Sequence, residues 1–313
     1  MIDGFSERLF PMTGLRMLGI AALLLGGAWG QKSQGGQGLL NGVIDIHAHC
    51  DPDSVARSID AIDLARLAKA RGMRGLVLKN HYEPTASLAY VVRKEVPGIE
   101  IFGGIDLNRS VGGVNPAAIE RMVLVKGGWG KVIWMPTFDA ENQVRYSKEN
   151  RPFVAVSKAG QLLPEVEEVI GLAAKHGLTL ETGHSSAAEC LMLIREAVRQ
   201  HVQHVVVTHA MLAPVGMNIA QMKEAAQLGA YVEFVYNALI GPNKSFEMSD
   251  YAKAIREVGA KWCILSSDLG QAANPLHPDG LAAFFAGLER AGIPRADIEL
   301  MSKTNPARAL GLE

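Results

Sequence analysis

Cysteine is scarce: Cys50, Cys190 and Cys263 are the only three in 313 residues, far apart and without C-x-x-C spacing. That argues against a disulfide framework and against a thiolate zinc knuckle, and leaves three small buried apolar side chains as the plain reading. Net charge is nearly absent as well. With 31 basic and 32 acidic side chains, no global field favours nucleic acid or an anionic membrane. Aromatics make up 6% of the chain. No G-x-G-x-x-G follows the first predicted strand, which disfavours a dinucleotide fold. The longest apolar run, Leu18 to Trp29, has twelve residues, whereas a membrane span needs roughly 20.

That run does fit the apolar core of a secretory signal, with Arg16 before it and a small-x-small site at Ala28 and Gly30. Asp3, Glu7 and Arg8 make an untidy start, so a dispensable cytoplasmic extension is the alternative. Gln31 to Gly38 is polar, glycine-rich and without apolar period, as in a flexible linker. Residues 1–38 are therefore expected to be a signal-like segment and linker on a periplasmic or secreted protein, and residues 39–313 the folded domain.

From Val43 onward, short β-branched runs alternate with stretches of helical period, which predicts a parallel sheet with crossover helices. Eight strands are expected: Val43–His49, Gly75–His81, Ile99–Leu107, Lys131–Pro136, Leu178–His184, His204–His209, Ala230–Tyr236 and Trp262–Asp268. Their ends lie 25 to 32 residues apart, except for one interval of 48. The excess, Thr137 to Leu163, reads as an elaborated loop over the site. Eight such units make a (β/α)8 TIM barrel with its active face at the strand ends; a doubly wound open sheet is the rival.

Five of the eight strands end in an ionisable or metal-binding side chain: His47/His49, Lys79/His81, His184, His209 and Asp268. Residues two apart on a strand share a face, so His47 pairs with His49 and Lys79 with His81. Any one histidine at a strand end is more often structural, and His176, His201, His204 and His277 are read that way. An H-x-H ending strand one, single histidines ending strands five and six, and an aspartate ending strand eight form a far more specific pattern. Neutral imidazoles and a carboxylate suit a divalent ion, zinc foremost, as one or two ions.

These residues also carry a resemblance. VIDIHAHCDP, LTLETGHSS, VVVTHA, CILSSDLGQ and the closing TNPARALGL resemble the metal-dependent amidohydrolase superfamily over about Asn41 to Leu312. LVLKNHYEPT, IFGGIDLN and VGGVNP resemble a poorly characterised bacterial branch of it. The resemblance implies a mononuclear or binuclear metal hydrolase, with His47, His49, His184, His209 and Asp268 in the ligand positions. Strand four, KVIWMPT, departs from it by lacking the bridging carboxylated lysine or glutamate of many binuclear members.

Two residues stand as replacements. Glu181 lies three positions before His184, on the opposite pleat face, and is expected to point away from the metal. Lys79 is better placed, either as a carboxylated bridge or as an ammonium that binds a substrate carboxylate or an oxyanion. His81 is a ligand or a substrate contact. Asn108 and Trp134 are further candidate substrate contacts, and Tyr82, Trp134, Phe138 and Tyr236 line an apolar pocket or simply pack the barrel.

The expected activity is hydrolysis of an amide, cyclic amide, lactone or ester in a small-molecule substrate, with Asp268 as proton shuttle. A phosphoester is disfavoured because no cluster of arginine or lysine marks a phosphate clamp. A deaminase or decarboxylase on the same scaffold, or a non-catalytic metal-dependent ligand-binding barrel, is the alternative. No nucleic-acid partner and no stable membrane span are expected; a homo-oligomer is open to it.

Overall fold

The computed structural model describes residues 38–313, so the signal-like segment expected before Leu39 lies almost wholly outside the described residues. Eight parallel strands follow one another around a single sheet: β1 (Ile44–Ala48), β2 (Gly75–Leu78), β3 (Glu100–Asp106), β4 (Gly130–Trp134), β5 (Thr179–Glu181), β6 (His204–Val207), β7 (Tyr231–Val235) and β8 (Cys263–Ser266). The ring closes where β8 meets β1, through Asp268 N to His47 O (2.9 Å) and His49 N to Leu269 O (2.9 Å). This is the expected (β/α)8 barrel. Each strand runs one to four residues shorter than its apolar run, because the final residues of those runs turn outward as site loops.

A helix follows every strand: α1 (Ala61–Ala70), α2 (Ala86–Glu95), α3 (Pro116–Val123), α4 (Pro164–His176), α5 (Ala187–Arg199), α6 (Ile219–Gln227), α7 (Met248–Val258) and α8 (His277–Arg290). Their starts are written locally. Asp60 accepts from the amides of Ile62 and Asp63 at the head of α1, and Ser186 with Glu189 forms a reciprocal capping box on α5. Gly177, at φ +60°, ends α4 before β5.

Alternation along the strands sorts the side chains. Ile101, Ile133, Leu180, Val205, Phe234 and Leu265 belong to the large core shared with the helices. Ile44, Ile46, Val77, Phe102, Val132, Trp134, Val206 and Ile264 form a second cluster with Ala307, Ala309 and Leu310. The C-terminal segment thus packs into the end of the barrel remote from the strand C-termini, tied by Thr179 Oγ1 to Ala309 O (2.7 Å) and Asn305 Nδ2 to Cys263 O (2.7 Å). Above this apolar plug the inner positions turn polar, with Lys79, Asp106, Glu181 and Glu233 all buried.

The excess after β4 is structured. It holds a short helix, Glu141–Tyr146, and a two-stranded hairpin, Ser157–Lys158 with Gln161–Leu162. Among the described residues no helix is long and apolar enough to cross a membrane.

Candidate metal centre

The register of β1 on β2 shifts between Asp45 and Ala48. This bulge lets Ile46 join the inner apolar cluster while His47 and His49 both reach the strand end, a common device beside active sites. The β5 chain is bent by Gly183, at φ +60°, where an added Cβ would stand 2.1 Å from Met135 O. His209 (φ +27°) and Asp268 (φ +50°) also occupy positive φ, which non-glycine residues rarely adopt. Such strain gathers at functional sites, where the surrounding fold holds it in place.

Four imidazoles have their Nδ1 committed. His47 Nδ1 donates to Glu233 Oε1 (3.1 Å), His49 Nδ1 to Lys79 O (2.8 Å) and His184 Nδ1 to Gln143 Oε1 (2.8 Å). Thr137 gives its one hydroxyl proton to Asp106 Oδ2 (2.9 Å), so His81 Nδ1, 3.0 Å from that hydroxyl, is the donor there. In each ring this leaves Nε2 as the nitrogen available to a further partner.

His47 Nε2 and His49 Nε2 lie 3.2 and 3.1 Å from one oxygen, Asp268 Oδ1. Nitrogens this close to a carboxylate oxygen need a proton or a cation between them. Burial pushes His49 and His184 well below the ordinary imidazole value and His209 down to about 4. For His47, burial and Lys79 are outweighed by Asp268 and Glu233, which hold it above its ordinary value. Asp268 sits well below the usual carboxylate range, because His47, His49 and His209 overcome its burial. The donor set therefore calls for positive charge at the His47–His49–Asp268 point, and its chemistry fits a divalent ion. His184 and His209 stand close by, with ring centroids 4.9 Å apart and His209 6.0 Å from His47.

These groups open into a cavity of about 420 Å³, whose walls include His47, His49, Lys79, His81, His184, His209 and Asp268. The insert after β4 supplies Phe138, Gln143 and Tyr146 to it. Phe138 stacks on His81 at 3.8 Å between centroids. A larger groove of about 620 Å³, lined by Pro52, Glu83, Leu88 and Val91 among others, contains none of the histidines and is set aside as the reaction site.

Three expectations need correction. Glu181 does not point away: it is fully buried inside the barrel, accepts from Thr208 Oγ1 (3.0 Å) and can share a cation site with His47 and Glu233. The left-handed Gly183 between Glu181 and His184 breaks the alternation on which the opposite orientation rested. Trp134 is not a cavity wall but belongs to the inner apolar cluster. Asn108, also absent from the cavity, braces two loops by accepting from the amides of Thr137 and Asp139 and donating to His81 O (2.7 Å). Of the softer aromatics, Tyr236 packs against Phe284.

Glu233 is the residue that pattern reading missed. From the middle of β7 it holds His47 Nδ1, accepts from the backbone N of His209 (2.7 Å) and from Ser266 Oγ (2.5 Å), and so orients the His47 ring while fixing the main chain at His209. Its sequence signal was one acid inside the apolar strand YVEFV. Burial and the neighbouring Glu233 raise Glu181 to about 8, whereas His47 and His209 overcome burial and hold Glu233 below its ordinary value. Glu233→Gln is expected to weaken metal affinity on the order of 10- to 100-fold, the usual effect of losing a ligand's orienting partner. Titration of metal-free protein with zinc checks it; unchanged affinity would make Glu233 a structural acid only.

The fold and the strand-end histidines define a (β/α)8 barrel with a histidine-rich pocket at the C-terminal ends of its strands. An amidohydrolase from Pseudomonas aeruginosa superimposes with a TM-score of 0.60 at 14% identity, covering 88% of this chain and 97% of that one. A variant of the organophosphorus hydrolase from Deinococcus radiodurans gives 0.56 at 18% identity, over 80% and 83%. The N-acetyl-D-glucosamine-6-phosphate deacetylase from Mycobacterium smegmatis gives 0.56 at 16%, over 87% and 76%. At these identities the likeness shows the fold. By sequence, residues 42–233 match the family of unknown function DUF6282, and the chain belongs to that family. No curated protein matches it.

Proposed function

We propose that the protein is a metal-dependent hydrolase of the amidohydrolase type, acting on an amide, cyclic amide, lactone or ester of a small molecule. The observation that carries this reading is the convergence of His47 Nε2, His49 Nε2 and Asp268 Oδ1 on one point, with the Nδ1 atoms of both rings already bound elsewhere. His47, His49, His184, His209 and Asp268 would hold the metal, for which zinc is the best match to imidazole and carboxylate. A divalent ion held there would lower the pKa of a bound water toward about 7 and polarise the scissile carbonyl. The names of the structural neighbours, which include a deacetylase and an organophosphorus hydrolase, support hydrolysis as the class of reaction.

The chain's own groups divide the remaining work. Asp268 takes the proton from the attacking water and returns it to the leaving group. Lys79 stands 3.5 Å from Asp106 Oδ2 with its Nζ otherwise unbonded. A carboxylated Lys79 would set a second anion against Asp106, so the ammonium reading is favoured, with the charge turned toward the oxyanion. Burial would raise Asp106, but Lys79 and His81 outweigh it and keep it ionised as that counter-charge. His81, packed between His49 and Phe138, faces substrate. A base beside the metal point favours an enzyme over a ligand-binding barrel. Export rests on the sequence before Leu39.

The test is elemental analysis together with turnover of a panel of lactones, dihydropyrimidines and N-acyl amino acids. About one to two divalent ions per chain are expected, with activity lost to a chelator and regained with zinc. Folded protein that takes up no metal when zinc is offered would end the proposal.

A further inference from the structure

Arg57 is the one arginine in the wall of the histidine cavity. Although it lies in the loop after β1, its side chain is only 4% exposed. The loop is fixed beside the catalytic face: Arg57 bridges to Gln271, and Ser58 N donates to Gly270 O (2.8 Å), two residues beyond Asp268. A guanidinium has five donors. Arg57 spends Nε on Asp53 Oδ2 (2.7 Å), while Nη2, at 2.7 Å from the same oxygen, is buried without a hydrogen bond. No hydrogen bond among the described residues uses Nη1. Asp53 itself lines the neighbouring groove and not this cavity.

The other charges agree. Facing the cavity are Arg57, Lys79 and Asp268, with neutral Gln143, Asn237, Asn243 and Gln271 between them. A divalent ion would add positive charge to a wall that already presents Arg57 and Lys79 while their partners Asp53 and Asp106 lie outside it, and Arg57 is one planar, preorganised donor group on a rigid loop. That combination selects a carboxylate. A phosphate, which needs more donors, would find a single arginine already part-engaged.

We propose that Arg57 binds a carboxylate of the substrate, so that the hydrolase acts on carboxylic acids bearing a second, scissile acyl group. This rests on the hydrolase reading for the scissile bond, but the anion site is testable without turnover. Zinc-loaded protein would be titrated calorimetrically with glutarate, with its monoamide and with inorganic phosphate. One carboxylate of either organic probe can meet the metal, so the comparison isolates the second. Glutarate is expected to bind at least about tenfold tighter than the monoamide, the scale of one charge-assisted hydrogen-bonded pair. Arg57→Gln should erase that preference with metal content unchanged, and Arg57→Lys should restore part of it.

Because Arg57→Gln leaves Asp53 buried alone, the double variant Asp53→Asn/Arg57→Gln keeps the test valid if the single one fails to fold. A preference that survives in either variant, equal binding of the two organic probes to the unaltered protein, or tighter binding of phosphate would each overturn the assignment. Absence of metal or of hydrolysis would instead count against the hydrolase reading.

Discussion

Changing His47 and His49 together to alanine should remove at least one divalent ion per chain and take turnover below the level left by any single acid–base substitution. Both Nε2 atoms face Asp268 Oδ1, so the double change deletes two of the three groups at that point. With the ion would go its share in polarising the carbonyl and the lowered pKa of its water, which Lys79 and Asp268 alone do not replace. The single variants separate ligation from stability. His47→Ala strands Glu233, whose carboxylate is buried against that ring, and breaking a buried charged pair costs about 3–5 kcal/mol. His49→Ala leaves only a backbone carbonyl, Lys79 O, without its partner, at about 1–3 kcal/mol. Melting temperature should therefore fall further in His47→Ala, while metal content measured on folded protein falls in both. Full metal occupancy in the folded double variant would contradict the centre.

The barrel was legible because its two periods are local. Each strand is a short β-branched run and each crossover an amphipathic stretch, and glycines such as Gly177 mark the joins. The strand-end residues were legible for the same reason: His49, His81, His184, His209 and Asp268 close apolar runs. What alternation could not carry is the irregular backbone that makes the site. The bulge after Asp45 turns Ile46 and His47 both inward, and Gly183 breaks the parity between Glu181 and His184. Glu233 escaped because a strand interior was read as core, although an acid there must be paired to be buried. Arg57 escaped because loop residues have no period; only the bridge to Gln271 brings it to the cavity. Trp134 shows the converse error. The sequence marks it as a candidate substrate contact, but its side chain joins Phe102 and Val132 in the inner apolar cluster and fills the barrel instead.

Asp268→Asn should lower kcat on the order of 10²- to 10⁴-fold with the metal retained, the usual scale for loss of a general acid–base group. The Asp268 carboxylate is poised for this role: His47, His49 and His209 keep it ionised despite its burial, and Asn237 Nδ2 steadies Oδ2 at 3.2 Å. Asparagine keeps the shape and one carbonyl oxygen for the metal but cannot accept the water's proton. It is also the right substitution for the backbone, because Asp268 sits at φ +50°, a region that asparagine tolerates better than most residues. The competing role, capping the turn at Leu269 and Gly270, has little support in the hydrogen bonds. Leu269 N donates to Ser267 Oγ (3.2 Å), and the contact to Gln271 Nε2 (2.9 Å) uses the backbone oxygen of Asp268, which the variant retains. A capping residue would lower the melting temperature and leave turnover per folded molecule nearly normal. A proton shuttle gives the reverse pattern, so kcat, metal content and melting temperature measured on one preparation separate the two roles.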